Sequence, residues 1–122
     1  MEQHPLCPRF EKAMRMLGKP WTILILERLM IGPRRFGEIE AELPVSGRLL
    51  SERLKELERE GLVERTVYPE TPVRIVYAAT SLGAALEPAL AEIGRWAEQW
   101  GSLEQQRKGE EDGEEVKGTD HD

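Results

Sequence analysis

The stretch SGRLLSERLKELEREGLVER, from Ser46 to Arg65, decides how the rest of the chain is read. Leu50, Leu54 and Leu57 recur at i, i+4 and i+7, one stripe of a helix, with Leu62 just beyond its end. Ser46 can cap the first turn through its hydroxyl, and Gly61 can supply the left-handed residue that stops the last one. On a helical wheel Arg48, Glu52, Lys55 and Arg59 lie opposite the leucines, with Gly47 and Ser51 between the two faces near the amino end. A short helix anchored by one face, with a polar, mostly basic face opposite, has the shape that enters a DNA major groove. A solvated surface helix has the same pattern, so the neighbours must decide.

Upstream, Phe10, Ala13, Met14 and Leu17 repeat with helical spacing from Pro8 to Leu17, and Gly18 follows as a stop. Pro20 fits the first turn of a second helix whose run, Trp21 to Met30, is apolar almost all round until Gly32 and Pro33 end it. Arg34, Arg35 and Phe36 lead into a third helix with Phe36, Ile39 and Leu43 on its inner stripe, closed by Pro44. A helix of about eight residues, a tight turn and a capped helix from Ser46 is helix-turn-helix spacing. Downstream the period changes to two, with Leu62, Glu64, Thr66 and Tyr68 on one face and Val63, Arg65 and Val67 on the other. Pro69 to Pro72 make a turn, and Val73 to Tyr77 a second strand, a hairpin where a winged helix carries its wing. Thr80 then caps a long helix through Trp100, which Pro88 should kink.

The chain has 122 residues and one cysteine, enough for a core without metal or disulfide staples and pointing to a reducing compartment. The longest apolar run, Trp21 to Leu26, is far too short for a bilayer, and the amino end has no apolar signal core, so a soluble cytoplasmic protein is expected. The net charge of −6 is unevenly placed: residues 104–122 hold eight acids against three bases, which leaves the body near neutral. Local clusters of arginine can still bind DNA, because the field at the groove matters more than the total. The composition after Glu104, glycines and acids without apolar periodicity, predicts a disordered acidic tail over residues 104–122.

Cys7-Pro8, Gly18 with Trp21, Ile23 to Leu29, Gly32-Pro33, Arg35 to Ile39, Leu50 to Leu54, Leu57-Glu58, Gly61 to Arg65, Tyr68 to Glu70, Pro72, Arg74, Tyr77, Thr80 and Leu82-Gly83 stand in an order that resembles the HxlR family of winged-helix transcriptional regulators, relatives of the MarR type. The resemblance runs from Cys7 to about Gly101. It implies a mainly α fold with a small β-hairpin wing, a winged helix-turn-helix domain over residues 1–103. It implies dimerisation through the first and last helices, 8–18 and 80–101, and a homodimeric DNA-binding regulator acting at an operator in double-stranded DNA; repression is expected of it, with activation the alternative. Several members sense oxidants or electrophiles through an amino-terminal cysteine, which Cys7 matches. The chain departs from the family's pattern in four places. The turn Pro44-Val45-Ser46 is one residue shorter, Glu52 stands where glutamine is common, Pro20 where a basic residue is usual and Val76 where an acid is usual.

The residues themselves suggest the division of labour. Arg48 and Lys55 can donate to guanine O6 and N7, and Ser51 to bases or phosphate; Glu52 either accepts from cytosine N4 or holds Arg48 or Lys55. Ser46 and Gly47 place the helix amino end near the backbone, and Arg34 and Arg35 suit phosphates or a solvated surface. Arg53, on the flank of the leucine stripe, suits a partly buried ion pair, and Arg74, beside the wing turn, can enter a minor groove. Leu86, Leu90, Ile93, Trp96 and Trp100 give the last helix more apolar surface than so small a body needs, so they are expected at a dimer interface or over the protein's own first helix; the resemblance implies that Phe10 and Met14 of the first helix join the dimer interface. Cys7 at a helix entrance beside Arg9 and Lys12 is either a sensor thiol or a small structural residue. An enzyme is disfavoured, since His4 and His121 are terminal and no phosphate loop, cofactor motif or metal-ligand spacing occurs. Two alternatives remain: a winged helix that binds only proteins, and a regulator responding to a small apolar ligand.

Overall fold

A computed structural model describes the backbone of residues 5–119 and the side chains of residues 5–111. His4 and His121 lie outside the described residues. The chain divides into two compact units, one up to Glu87 and one from Pro88 onward. In the first unit the helices are α1 (Pro8–Leu17), α2 (Thr22–Ile31), α3 (Phe36–Glu42), α4 (Gly47–Arg59) and α5 (Ser81–Ala84), and the strands are β1 (Val63–Tyr68) and β2 (Arg74–Ala79). The second unit is α6, which is assigned from Glu87 to Thr119. This is the expected mainly helical architecture with one antiparallel hairpin.

The core is built where the leucine stripe of α4 meets α2. Ile25, Leu26 and Leu29 of α2, Ile39 of α3, Val45, and Leu50, Leu54 and Leu57 of α4 are buried, and Leu62 and Val63 close one end. Fully burying one such side chain is worth about 1.5–3 kcal/mol. Helix α2 starts one residue later than its apolar pattern suggests. Trp21 caps it in the left-handed region at φ 73°, so Pro20 lies in the preceding turn rather than in the helix. A non-glycine residue pays about 1–2 kcal/mol for that conformation. The indole is half-buried against the core, which offsets the cost.

Both ends of α4 follow their sequence signals. Ser46 Oγ accepts from the Leu49 amide at 3.2 Å. At the other end Gly61 takes φ 82°, and the Leu62 amide donates to the Leu57 carbonyl at 2.9 Å, closing the last turn. Arg53 Nε donates to the Pro20 carbonyl at 2.9 Å and its guanidinium meets Glu56 at 3.3 Å, the partly buried pairing expected of it. Strands β1 and β2 pair from Val63↔Ala79 to Tyr68↔Arg74. Arg34 extends the ladder by one bridge, with backbone bonds of 2.9 and 2.8 Å to Tyr77.

The exit from the hairpin is tied to the exit from α4. Thr80 Oγ1 donates to the Gly61 carbonyl at 2.6 Å and accepts from the Gly83 amide at 3.1 Å, while the Thr80 amide donates to the Leu62 carbonyl at 3.0 Å. Gly83 is buried, and a Cβ there would overlap the Leu62 carbonyl.

The expected long helix from Thr80 is two helices. Alpha5 ends at Ala84, residues 85 and 86 turn, and α6 begins with Pro88 in its first turn. Proline lacks the amide that would bond the residue 84 carbonyl and its ring crowds that carbonyl, so an interruption costs less than a kink. Helix α6 also runs past Glu104, where a disordered tail is expected. Glu104, Gln105, Gln106, Arg107 and Lys108 are straight-chain residues that lose little rotamer freedom in a helix, so helix geometry there needs no apolar face. Among the described residues, no helix is long and apolar enough to cross a membrane.

Candidate nucleic-acid interface

Helices α3 and α4 with the turn between them present the outward face of α4 with little above it. The Arg48 side chain is 91 % exposed and lies 3.9 Å from Glu52 one turn on. Lys55 is exposed and Ser51 half-buried. An exposed pair at that separation contributes little and leaves the guanidinium open to another partner. Ser46 is exposed at the amino end, its oxygen engaged in the cap. Gly47 is half-buried, and its nearest obstruction is the Glu40 carboxylate of α3, 2.9 Å from where a Cβ would stand.

The arginines differ in what they already hold. Arg35 is exposed at the start of α3, where its amide is capped by Glu38 at 2.9 Å. Arg34, adjacent in sequence, is committed inward. Its guanidinium donates to the carbonyls of Arg28 and Gly32 at 2.6 and 2.7 Å and to Glu42 at 3.0 Å, with a second, closer bond to the same carboxylate. Those bonds, reinforced by the charges of Arg34 and Arg28, hold the Glu42 carboxyl below the usual carboxylate range. Arg34 therefore joins α2, α3 and β2 and has no free donor fork for phosphate. Of the two arginines expected near phosphate, only Arg35 keeps its guanidinium uncommitted. The arginine dipeptide gives no hint of the difference, because Glu42 becomes its neighbour only when α3 folds.

Arg74 has an intermediate position. It reaches Glu70 at 3.1 and 3.3 Å and lies 3.9 Å over the Tyr68 ring, so the wing holds it oriented. The hydrogen bond from Arg74, with the charges of Arg74 and Arg35, holds the Glu70 carboxyl below its usual range. Arg65 of β1 is exposed and borders a cleft of about 360 Å³ with Ser51, Lys55, Glu58 and Tyr77. Arg65 is not among the DNA contacts expected from the sequence, although strand alternation puts it on the face of buried Val63.

The residues expected at a dimer interface divide likewise. Phe10 and Met14 of α1 are 58 % and 45 % exposed, and Ile93, Trp96 and Trp100 of α6 are 50–59 % exposed. The two indoles are stacked, with centroids 6.1 Å apart. Leu90 is half-buried. Leu86, also expected at the interface, is half-buried and packs against the first unit's own core, because the break before Pro88 ties it to that unit. Cys7 is exposed at the amino cap of α1.

Comparison with known proteins agrees with this geometry. The model of the HxlR-like helix-turn-helix family matches residues 16–105. The chain is 59 % identical over 101 residues to YvaP of Bacillus subtilis (strain 168), an uncharacterized HTH-type transcriptional regulator, covering 82 % of this chain and 94 % of that one. The crystal structure of quinone-bound YodB from B. subtilis superposes with a TM-score of 0.68 at 43 % identity, over 77 % of this chain and 99 % of that one. The oxidized form of the redox regulator HypR superposes with a TM-score of 0.71 at 32 % identity, over 76 % and 96 %. By its family match, its relatives and its winged fold, the chain belongs to the HxlR-like helix-turn-helix family of transcriptional regulators.

Proposed function

We propose that the chain binds operator DNA as a homodimer and represses transcription, with α4 entering the major groove amino end first. Arg48, Ser51 and Lys55 reach base edges, Glu52 steers Arg48, and Ser46, Gly47 and Arg35 sit against the backbone. Arg74, oriented by Glu70 and Tyr68, serves the minor groove beside the wing. The observation that carries this reading is the division of α4 into a buried leucine face and an outer face on which Arg48 and Lys55 are exposed. The exposed apolar residues of α1 and α6 supply the contacts between copies, and a dimer places two reading helices on successive turns of one face of the duplex.

The test is a gel-shift titration at fixed salt with duplexes drawn from genomic fragments that the protein retains. Arg48→Ala should cost about 1–3 kcal/mol of specific binding, and unchanged operator affinity removes the assignment. Binding that does not weaken as salt is raised would instead favour a module that contacts only proteins.

Cys7 is the proposed sensor. It is the only cysteine in the sequence and is exposed, and similar proteins include the redox regulator HypR and a YodB with quinone bound. In the proposed step the Cys7 thiolate adds to a ring carbon of a quinone and forms a C–S bond. The displaced π electrons move to a carbonyl oxygen, water supplies protons, and the ring becomes a hydroquinone thioether. Cys7→Ser should bind DNA as the parent does and no longer release it on quinone addition; a release that persists in this variant would falsify the sensor role.

A further inference from the structure

We propose that Lys55 and Arg65 form a seat for one DNA phosphodiester in the cleft between α4 and the hairpin, a contact made by the base of the wing rather than its tip. The inference rests on the proposal that α4 reads duplex DNA, and adds a backbone contact to it. The cleft's lining offers Lys55 and Arg65 as cations, Ser51 and Tyr77 as hydroxyl donors, and Glu58 as the one acid. Lys55 and Arg65 together outweigh Glu58, so the cleft keeps one net positive charge.

Like Arg9, Arg35 and Arg59, Arg65 forms no ion pair among the described residues, and of these four it is the one that lines the cleft. Arg28, Arg34, Arg53 and Arg74 each hold a carboxylate within 4 Å, whereas neither Arg65 nor Lys55 forms an ion pair among the described residues. An uncommitted guanidinium presents a planar fork that matches two phosphate oxygens, and a nearby ammonium adds a point charge. The mount is rigid. Arg65 pairs across the hairpin with Tyr77, whose amide and carbonyl are bonded to Arg34 in turn. One residue back on the same strand face, Val63 is buried in the core. A cation on a strand paired along β2 and anchored in the core through Val63, beside Ser51 and Lys55 of the reading helix, is placed to hold the backbone flanking the groove that α4 enters. It carries no base information.

The experiment is fluorescence-anisotropy binding of a mixed-sequence duplex across a salt series, with the parent chain, Arg65→Ala, Arg65→Lys and Arg48→Ala. Far-UV circular dichroism and melting temperature check that each variant is folded. Arg65→Ala should lower the slope of log affinity against log salt by about 1 and weaken binding by about tenfold near 0.1 M salt, as expected for one phosphate neutralised. Arg65→Lys should keep the parent slope. In a parallel titration with retained genomic duplexes, Arg65→Ala should weaken specific and mixed-sequence binding by the same factor, whereas Arg48→Ala should narrow the gap between them. A folded Arg65→Ala with the parent slope, or with a loss confined to the specific duplex, overturns the seat and leaves the reading helix standing. A parent chain with no salt-dependent duplex binding overturns both.

Discussion

Helices α4 and α1 have the same kind of apolar stripe and put it to opposite uses. In α4, Leu50, Leu54 and Leu57 are at most 1 % exposed. In α1 no residue is buried, and Phe10 and Met14 face outward although Met16 and Leu17 touch the core. Periodicity specifies that a helix has a face to cover; it does not specify which chain covers it. The body of this molecule is complete within one copy. Its first helix keeps Phe10 and Met14 exposed, and α6, by itself, keeps Ile93, Trp96 and Trp100 exposed.

The contrast can be broken most decisively at the core. Leu54→Ala should cost about 2–5 kcal/mol of folding stability, as buried leucine truncations do, read as a lower midpoint in urea. A loss under about 1 kcal/mol is what an exposed position gives, and would abolish the distinction between the helices. The next effect in size belongs to the outer helices. The double change Trp96→Ala with Trp100→Ala should raise the dimer dissociation constant by about 100-fold or more, measured by sedimentation equilibrium, while far-UV circular dichroism keeps its helical signal. A dimer of parental strength would show that the indoles serve something other than a second copy.

The smallest effect sharpens the comparison from within the body. Because Arg34 and Arg28 hold Glu42 below the ordinary carboxylate range, its contribution to stability is present above pH ~4.3 and is lost as pH falls through its lowered value. The parent chain should therefore exceed Glu42→Gln in melting temperature near neutrality, and the gap should close in acid. A gap independent of pH would mean that geometry rather than charge matters at that junction.

How much of this was legible beforehand varies with distance along the chain. The bounds of α1, α3 and α4 follow from local signals such as Ser46, Gly61 and Pro44, and the hairpin from the switch to alternating period, although β2 runs Arg74–Ala79 where Val73 to Tyr77 is expected. The grouping of Arg48, Ser51 and Lys55 followed from helix periodicity alone. What escaped depends on partners remote in sequence. The amino end of α2 is set by a left-handed Trp21 whose cost is met by tertiary packing. Arg34 and Arg35 part company because Glu42 lies eight residues on from the first of them. Arg65 joins Lys55 only when the hairpin lies beside α4. The interruption at residues 85 and 86 was hinted at by Pro88, but whether a proline bends a helix or starts a new one is decided by how the preceding turn closes, here on Gly83 and Ser81.

The knot of Thr80, Gly61, Leu62 and Gly83 has a consequence for anyone recombining this scaffold. With no room for a Cβ at residue 83 beside the Leu62 carbonyl, the two segments are inherited as one cassette. A chimera that takes its wing from one parent and the following turn from another keeps its joint only if glycine comes with the donor, whatever else is exchanged.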